Sequence, residues 1–527
     1  MDTKDIEKEI DAAFENNSLT SIPYSQAVWE LLSYLEYKYY ELTVTPGSAN
    51  DKAASIDNMI NLMSHPLRSC FNKCVRQKMA LKRSYIKSYA DAAHDWYGKS
   101  YDYNNFCSIF PLVNRNELSL HVNGNTLKTS KDLSCGVPYE AYNRLAHKTG
   151  GSERSDVDTG AILDAVENYT YLLGDKFAIS WTESLSKSVI SIFEKSQIVR
   201  YHLPETWLFS RFSFAEFRKI AIAISALSYA RYVVTTVNAS SLPEFGYAQR
   251  VWVISKHEFI RILIEATGYQ KETIINVLEY LTFGSMGIKY PDVATQPLFD
   301  SEDGNYLVSP FLFVNSDVER NICALLNQID TDKKIYSSLV DEKEALLYNE
   351  LEKELCTLGF RCESGKVAGT DLDLAIIDDE AKSVLTVELK WFIEPAEIRE
   401  VIQRSKEIKK GIQQAKKLHS LLENKDRNLF DNILKISDDY SHYSIVGSFN
   451  WIGSDSVQNI QVPVIKVGHL LKLFKDGKSI EEVIKFLKKR DYLPVVGEDY
   501  DVAIFTVKSG DWTCEWYGLK SLDEEFA

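Results

Sequence analysis

The chain carries its most informative sequence in two runs, Gly369-Thr-Asp371-Leu-Asp373-Leu-Ala-Ile-Ile377 and Val384-Leu-Thr-Val-Glu388-Leu-Lys390-Trp391. Aliphatic residues dominate both runs, and a charged turn over 378–382 separates them, which predicts two consecutive strands. Side chains alternate between the faces of a strand, so Asp371 shares a face with Asp373, and Glu388 shares a face with Lys390. If the two strands pair as a hairpin, we expect these acids and the lysine to converge at one edge of the sheet.

This combination of side chains suits the hydrolysis of phosphodiester bonds. Two carboxylates and a backbone carbonyl are ligands that a hard divalent cation such as Mg²⁺ prefers. Such a cation polarises a phosphoryl oxygen and lowers the pKa of a bound water. A neighbouring lysine can orient the attacking water and offset developing negative charge. Because buried charges are costly unless they are paired or bound to a metal, charges inside otherwise apolar strands indicate a functional site.

The two runs resemble the motif of the PD-(D/E)XK nuclease superfamily, whose fold is restriction-endonuclease-like. The matching features are Asp373, the Glu388-Leu389-Lys390 triplet and the predicted order helix, strand, strand, strand, helix. The resemblance implies metal-dependent cleavage with Mg²⁺ or Mn²⁺ as the cofactor. It also implies metal ligation by Asp373, Glu388 and the backbone carbonyl of Leu389, and water positioning by Lys390. Asp371 stays open as the alternative to Asp373, and the proline that commonly precedes this acid is absent.

Two neighbouring helices supply further candidates. In the helix predicted over Glu342–Leu358, Glu344 lies seven residues before Leu351 and so within ~20° of the leucine stripe that faces the core. A core-facing glutamate needs a partner, so we expect Glu344 to be a third acidic metal ligand. The resemblance also implies a glutamine on the helix after the Glu-x-Lys strand, and we assign this role to Gln414, with Gln413 as the alternative.

The long helix predicted over 395–422 is strongly basic in an acidic protein. The whole chain has 60 Lys and Arg against 75 Asp and Glu, a net charge of −15, which excludes binding of nucleic acid by bulk charge. A local basic groove beside the predicted site remains compatible with this balance. Its candidate contacts with nucleic acid are Arg404, Lys409, Lys410, Lys416 and Lys417.

The length of 527 residues predicts more than one domain. We expect a multidomain protein with a mainly helical region over 1–240, a mixed segment over 241–330 and an α/β restriction-endonuclease-like domain over 331–527. Several element predictions follow from periodicity and turn residues. They comprise helices over Leu67–Tyr89 and Ala161–Leu173, extended chain over Phe311–Val314, a linker over Asp330–Ile335, a possible break of the basic helix at Gly411, and two late strands of the nuclease domain at Val502–Val507 and Trp512–Tyr517.

Composition also limits the cellular setting. The eight cysteines are sparse and scattered, which is typical of a reduced, cytosolic protein. The beginning of the sequence is charged and amphipathic without an apolar signal region. The most apolar helix candidate, Ile220–Val237, contains Arg231 and is expected to be too polar to cross a bilayer. We therefore expect a cytoplasmic protein without a membrane partner.

These observations predict a metal-dependent endonuclease whose partner is DNA. The layout resembles that of bacterial restriction or anti-phage defence effectors, in which the N-terminal region senses, assembles or restrains the nuclease. Because cutting two strands needs two sites, we expect a homo-oligomer. Two alternatives stay open: a catalytically silent nuclease-fold module that serves nucleic-acid binding or assembly, and a nuclease that acts on RNA.

Overall fold

The structure is a computed structural model. It describes residues 3–46, 49–132, 136–145, 157–173, 176–196, 204–239, 249–367, 369–395, 397–459 and 461–522. Within these ranges the protein is a mixed α and β protein with several hydrophobic cores.

The first two thirds of the chain are mostly helical. The helices are Thr3–Phe14 (α1), Tyr24–Val44 (α2), Ala49–Lys73 (α3), Lys87–Asn114 (α4), Pro138–Leu145 (α5), Thr159–Val166 (α6), Glu183–Glu194 (α7), Phe214–Ala239 (α8), Lys256–Thr267 (α9), Lys271–Leu281 (α10), Pro310–Asn315 (α11), Val318–Leu326 (α12) and Asp330–Ser338 (α13). The strands are Leu120–Asn123 (β1), Thr126–Thr129 (β2), Thr170–Leu173 (β3), Lys176–Ile179 (β4), Trp252–Ser255 (β5), Leu298–Asp300 (β6) and Asn305–Val308 (β7).

Helix α8 runs through the largest core and is apolar around most of its circumference, as expected for a helix surrounded by others. Among the described residues, its segment Phe214–Asn238 alone is long and apolar enough to span a membrane, and 72% of the most apolar window is buried inside the protein. The expectation that Arg231 makes this helix too polar is therefore wrong on composition. This degree of burial is typical of a core helix. Within the core, the Arg231 guanidinium donates hydrogen bonds to the backbone carbonyls of Phe177 and Gln249.

The C-terminal third is built around a five-stranded sheet. Its elements are Val340–Thr357 (α14), Arg361–Val367 (β8), Thr370–Asp378 (β9), Ser383–Lys390 (β10), Ile398–Glu423 (α15), Ser441–Ser448 (β11), Val464–Lys466 (β12), Val467–Lys475 (α16) and Ile480–Lys489 (α17). The strand order is β12-β11-β10-β9-β8. Strands β8, β9 and β10 form an antiparallel meander, whereas β10, β11 and β12 are parallel. Helix α15 makes the crossover that a parallel β10–β11 pair requires.

The last two strands, Tyr500–Ser509 (β13) and Trp512–Ser521 (β14), do not join this sheet. They form a second sheet of order β1-β2-β14-β13 with two strands from the helical region. Residues of β13 and β14 share a hydrophobic cluster with α1 and α4. The prediction that these late strands belong to the nuclease domain is therefore wrong, because their apolar faces find their partners more than 350 residues earlier in the chain.

Two predicted helices are interrupted. The expected helix over Leu67–Tyr89 ends at Lys73, and α4 begins only at Lys87. The intervening backbone is held by tertiary contacts, since Gln26 accepts a hydrogen bond from the backbone N–H of Lys82 and donates one to its carbonyl. The expected helix over Ala161–Leu173 ends at Val166, and Thr170–Leu173 pairs with Lys176–Ile179 as a hairpin.

Two segments expected to be irregular are helical. Residues 311–314 lie in α11, which starts with Pro310 and is capped by the Ser309 hydroxyl, as Pro at a first helical position allows. The expected linker over Asp330–Ile335 lies in α13, where buried Asp332 accepts hydrogen bonds from the Ser210 N–H and the Tyr280 hydroxyl. The first of these helices is capped locally by Ser309, whereas the second is held by hydrogen bonds from distant elements.

Candidate functional site

The acidic residues and the lysine of the two informative runs lie together. Strands β9 and β10 pair antiparallel with Val387 opposite Leu374 as the last registered pair. Continuing this register by one residue places Glu388 opposite Asp373. Both side chains, and that of Lys390, lie on the sheet face that α15 covers, because a Cβ on Gly411 of α15 would meet Lys390 and Glu388. The convergence expected from side-chain alternation is thus present in the structure.

The distances within this group are short. The Lys390 Nζ donates to the Glu388 Oε1 at 2.6 Å, and the Leu389 backbone N–H donates to the Asp373 Oδ2 at 2.8 Å. The Glu388 side chain is 1% exposed, whereas the Lys390 side chain is 20% exposed. The lysine therefore reaches from solvent to a carboxylate that solvent does not reach.

One oxygen of the group lacks a partner. The Glu388 Oε2 is buried and accepts no hydrogen bond from any described residue. Leaving a buried charged acceptor without a partner is strongly unfavourable. This atom therefore marks a position where a ligand with positive charge or a hydrogen-bond donor would be stabilised.

Burial also changes the acidity of both carboxyl groups. It raises the pKa of Glu388 to about 7, with the nearby Asp373 carboxylate adding to the effect and Lys390 opposing it. Burial likewise raises the pKa of Asp373, while the hydrogen bond from Leu389 opposes that shift. Perturbed carboxyl groups that share one small volume are typical of functional sites.

The backbone carbonyl of Leu389 points to the side of β10 on which β9 and Asp373 lie. The Lys390 carbonyl accepts a hydrogen bond from the Phe449 N–H, just beyond β11. Since successive carbonyls of a strand point to opposite edges, the Leu389 carbonyl points to the β9 side. There it joins the two carboxylates, as the predicted ligand set requires.

These groups fit a cation that retains much of its hydration shell. No cluster of three or more His, Cys, Asp or Glu suitable for a metal is found among the described residues. Two carboxylates, one carbonyl and the partnerless Glu388 Oε2 nevertheless match Mg²⁺, which keeps several waters and is usually bound through one or two carboxylates. A site for a metal that sheds its water, such as structural Zn²⁺, is not formed here.

Gly411 of α15 lies directly against the side chains of Glu388 and Lys390. A break of the helix is possible at this glycine from the sequence, but α15 continues through it from Ile398 to Glu423. A Cβ at this position would lie 2.9 Å from the Lys390 Cε and 3.4 Å from the Glu388 Cγ. Only a glycine therefore lets α15 approach the acids and the lysine this closely, and only the packing of the helix on the sheet reveals that.

The expectation that Glu344 faces the core is wrong. Glu344 is exposed on α14, and the inward position next to it belongs to Lys343, which is 7% exposed. The Lys343 Nζ lies 3.2 Å from the centroid of the Trp391 ring, directly after Lys390. Burial lowers the pKa of Lys343 to about 8. The predicted stripe itself is buried, because Leu347, Leu351 and Leu355 face the core, but in the first turn of α14 the inward position is that of Lys343, four residues before Leu347, which packs on the Trp391 ring.

The two candidate glutamines lie outside the buried group. Gln413 and Gln414 are both exposed on α15 and line an open groove of about 590 Å³. Asp371, the alternative to Asp373, is exposed and lines the same groove. The structure thus separates the buried Glu388 and the half-buried Asp373 from a polar groove that begins beside them.

The five basic residues predicted to contact nucleic acid differ in their exposure and in their partners within the protein. Lys409, Lys410 and Lys417 are exposed, whereas Arg404 and Lys416 are half-buried. Lys410 pairs with Glu407 of the same helix at 3.1 Å, and the Lys417 Nζ donates to the Gly369 carbonyl at 2.5 Å. Arg404 lies over the Phe392 ring at 5.4 Å. The exposed lysines of this set follow one face of α15 past the groove.

The segment between β10 and α15 is bound to the helical region of the protein. Ile393 belongs to the large N-terminal core, and Trp391 packs against it. The Arg320 guanidinium of α12 donates twice to the Glu394 carbonyl, at 2.9 and 3.1 Å, and pairs with Glu400 in the first turn of α15. The connection between β10 and α15, which carry the two halves of the site, is therefore anchored outside the five-stranded sheet.

Comparison of the chain with protein-family models, with curated proteins and with solved structures gives no match in any of the three.

Proposed function

We propose that the protein is a metal-dependent nuclease that hydrolyses phosphodiester bonds in DNA, with a restriction-endonuclease-like fold in its C-terminal third. The observation that carries the proposal is the buried, partnerless Glu388 Oε2 beside Asp373 and Lys390. The strand order, with an antiparallel meander that leads into a helical crossover, agrees with the fold that the motif implies. The site residues of the proposal are Asp373, Glu388, Lys390 and the Leu389 carbonyl.

Each residue has a distinct task in this proposal. Asp373, Glu388 and the Leu389 carbonyl would hold Mg²⁺ or Mn²⁺, which when bound supplies Lewis-acid activation of the phosphodiester and of water. Lys390 places an ammonium group at the solvent side of Glu388, where it orients the attacking water and offsets charge that develops on the phosphate. The Leu389 N–H fixes the Asp373 carboxylate, so that its orientation does not depend on the substrate.

The basic face of α15 supports a polyanionic substrate. Lys409 and Lys417 are exposed on the helix that covers the site, and the groove between α15 and the β8–β9 turn is polar. Cations along a helix beside a phosphodiester-cleaving site are what contact with a nucleic-acid backbone requires. DNA is the proposed substrate, and RNA is the alternative that the same contacts permit.

We also propose that the protein acts in the cytoplasm. The seven cysteines in the described part of the chain are all free thiols. Thiols that stay reduced are typical of cytosolic proteins.

The test compares cleavage of single- and double-stranded DNA and RNA with Mg²⁺ and with Mn²⁺. Lys390→Ala and Asp373→Asn are expected to lower the cleavage rate at least about a thousandfold, because each removes charge stabilisation at the reacting phosphate or a metal ligand. Lys353→Ala, which removes an exposed lysine of α14 away from the sheet face, is the matched control and should cut like the wild type.

Metal binding gives a readout that does not depend on cleavage. Mg²⁺ is expected to raise the melting temperature of the wild type and of Lys353→Ala but not of Asp373→Asn, since a ligand that binds the folded state stabilises it. Equal cleavage by wild type and both site variants would exclude this site. DNA binding without hydrolysis under any metal would instead support a silent binding module.

A further inference from the structure

A second basic surface lies in the helical region, far in sequence from the proposed nuclease site. No acidic residue occurs between Asp57 and Asp91, although the whole chain has a net charge of −15. The centre of this stretch is the segment 75–86 between α3 and α4, all of it within the described chain, which forms neither helix nor strand. We call residues 75–87 the basic strap.

The backbone of the basic strap is held at both ends by buried groups. The Val75 carbonyl accepts a hydrogen bond from the Tyr24 N–H at 3.1 Å. The Arg76 guanidinium stacks over the rings of Tyr24 and Phe71 at 4.4 and 4.8 Å. Further along, Gln26, which is 2% exposed, binds both the N–H and the carbonyl of Lys82. The strap therefore has an anchored backbone without regular secondary structure.

The strap carries five basic side chains, and two of them, Arg76 and Arg83, interact with other residues of the protein. Arg76 is neutralised by Glu302 at 2.9 Å. Lys78, Lys82 and Lys87 are exposed, and none of them pairs with an acidic side chain among the residues that the structure describes. Three cations without an acidic partner thus project from an anchored backbone, while Arg76 is already paired with Glu302.

We propose that the basic strap binds the phosphodiester backbone of a nucleic acid. Three exposed cations on one anchored segment match a polyanion, and a backbone that is ordered beforehand loses little conformational entropy on binding. Tyr85, 42% exposed between Arg83 and Lys87, adds a ring on which an unpaired base can stack. An anionic membrane fits less well, since the strap is not an amphipathic helix with an apolar face to insert.

Binding by the strap does not require the proposed nuclease activity. It is therefore measured in a Lys390→Ala protein, in which cleavage is not expected. The strap contacts are to phosphates, so they add affinity without reading sequence. Helix α4 begins at Lys87 and packs against α15.

The experiment measures the affinity of the Lys390→Ala protein for a 30-base-pair duplex, which spans roughly 100 Å, by fluorescence anisotropy between 50 and 200 mM NaCl. The strap variant carries Lys78→Gln, Lys82→Gln and Lys87→Gln in addition. Three lost phosphate contacts are expected to reduce the slope of log K against log[salt] by about 2.7 and to weaken binding at least about tenfold at 100 mM.

The control variant loses the same charge elsewhere. It carries Lys289→Gln, Lys334→Gln and Lys353→Gln, three exposed lysines outside the strap, and should keep the slope of the parent protein. Lys78→Gln alone should reduce the slope by about 1, which tests the inference with the smallest disturbance of the fold. The anchors Gln26 and Arg76 stay intact in every variant.

Equal slopes and affinities for the strap and control variants would overturn the inference. Strap-dependent sedimentation with phosphatidylserine vesicles, together with unchanged DNA binding, would also overturn it and assign the strap to a membrane surface. A strap-dependent dimer in sedimentation velocity, again with unchanged DNA binding, would assign it to a second copy of this acidic chain.

Discussion

Single atoms decide what the site residues can do. The Glu388 carboxylate has one oxygen engaged by Lys390 and one buried without a partner, and both depend on the close approach of Gly411. The chemistry of the site therefore depends on a residue that contributes no side chain.

Gly411→Ala is expected to lower kcat for DNA cleavage at least tenfold while changing KM little. The added Cβ would lie 2.9 Å from the Lys390 Cε, so the lysine must move away from Glu388. Gly98→Ala in α4 is the matched control, since a Cβ there meets nothing within 4 Å and should be neutral or slightly stabilising. Retained wild-type kcat in a folded Gly411→Ala protein would contradict this role for the glycine.

A buried carboxyl group in the helical core predicts a pH dependence of stability. Burial raises the pKa of Glu36 to about 7 even though its Oε1 accepts hydrogen bonds from Ser309 and Phe311. The folded state keeps this proton while the unfolded state loses it near pH 4.5, so stability falls as the pH rises from about 4.5 to about 7. The loss amounts to about 3 kcal/mol.

Glu36→Gln should remove this pH dependence because glutamine stays neutral. Urea unfolding at pH 5 and pH 8 measures it. The variant is expected to gain stability relative to the wild type at pH 8 but not at pH 5. The same difference at both pH values would show that the proton of Glu36 is not responsible.

Among the elements, the connection from β10 to α15 joins the helical region to the site. Arg320 of α12 holds the Glu394 carbonyl and Glu400, and Trp391 packs on the large core. The helical region can thus affect the relative position of Lys390 and α15 without touching the substrate.

Arg320→Ala is expected to lower kcat several-fold and to leave DNA affinity in the absence of metal unchanged. The reason is that two charge-assisted hydrogen bonds to the connection are lost while no substrate contact is removed. Single-turnover cleavage and anisotropy measure the two quantities. Arg427→Ala, which removes exposed ion pairs with Asp438 and Asp431, serves as the control and should change neither.

On the scale of the whole molecule, the hairpin of β13 and β14 packs against the early helices α1 and α4. Trp512 is 6% exposed in the cluster with α1 and α4, and its indole N–H donates to Glu9 at 2.8 Å. The hairpin of β13 and β14 therefore stabilises the packing of α1 and α4.

Trp512→Ala is expected to destabilise the protein by about 3–5 kcal/mol through loss of a large buried side chain. Hydrogen exchange should accelerate in α1 and α4 and stay slow in β9 and β10. Ile504→Ala on the same hairpin, where the side chain is 64% exposed, should leave exchange unchanged. Faster exchange confined to the five-stranded sheet would instead place the hairpin in the C-terminal unit.

Local pattern by itself determined much of the C-terminal third. Alternation along β9 and β10 was enough to place Asp373, Glu388 and Lys390 on one face, because side-chain direction in a strand depends only on position. Helix α15 was also predictable from its periodicity, apart from the meaning of Gly411.

The tertiary structure alone decided the rest. The burial of Lys343 instead of Glu344 on α14, the interruption between α3 and α4, the helices at 310–315 and 330–338, and the sheet to which β13 and β14 belong all depend on contacts between residues that are distant in sequence. Such contacts replace local hydrogen bonds with others of similar strength, so local propensity does not reveal which set forms. The same holds for Glu388, whose burial, raised pKa and partnerless oxygen exist only after α15 has packed onto the sheet.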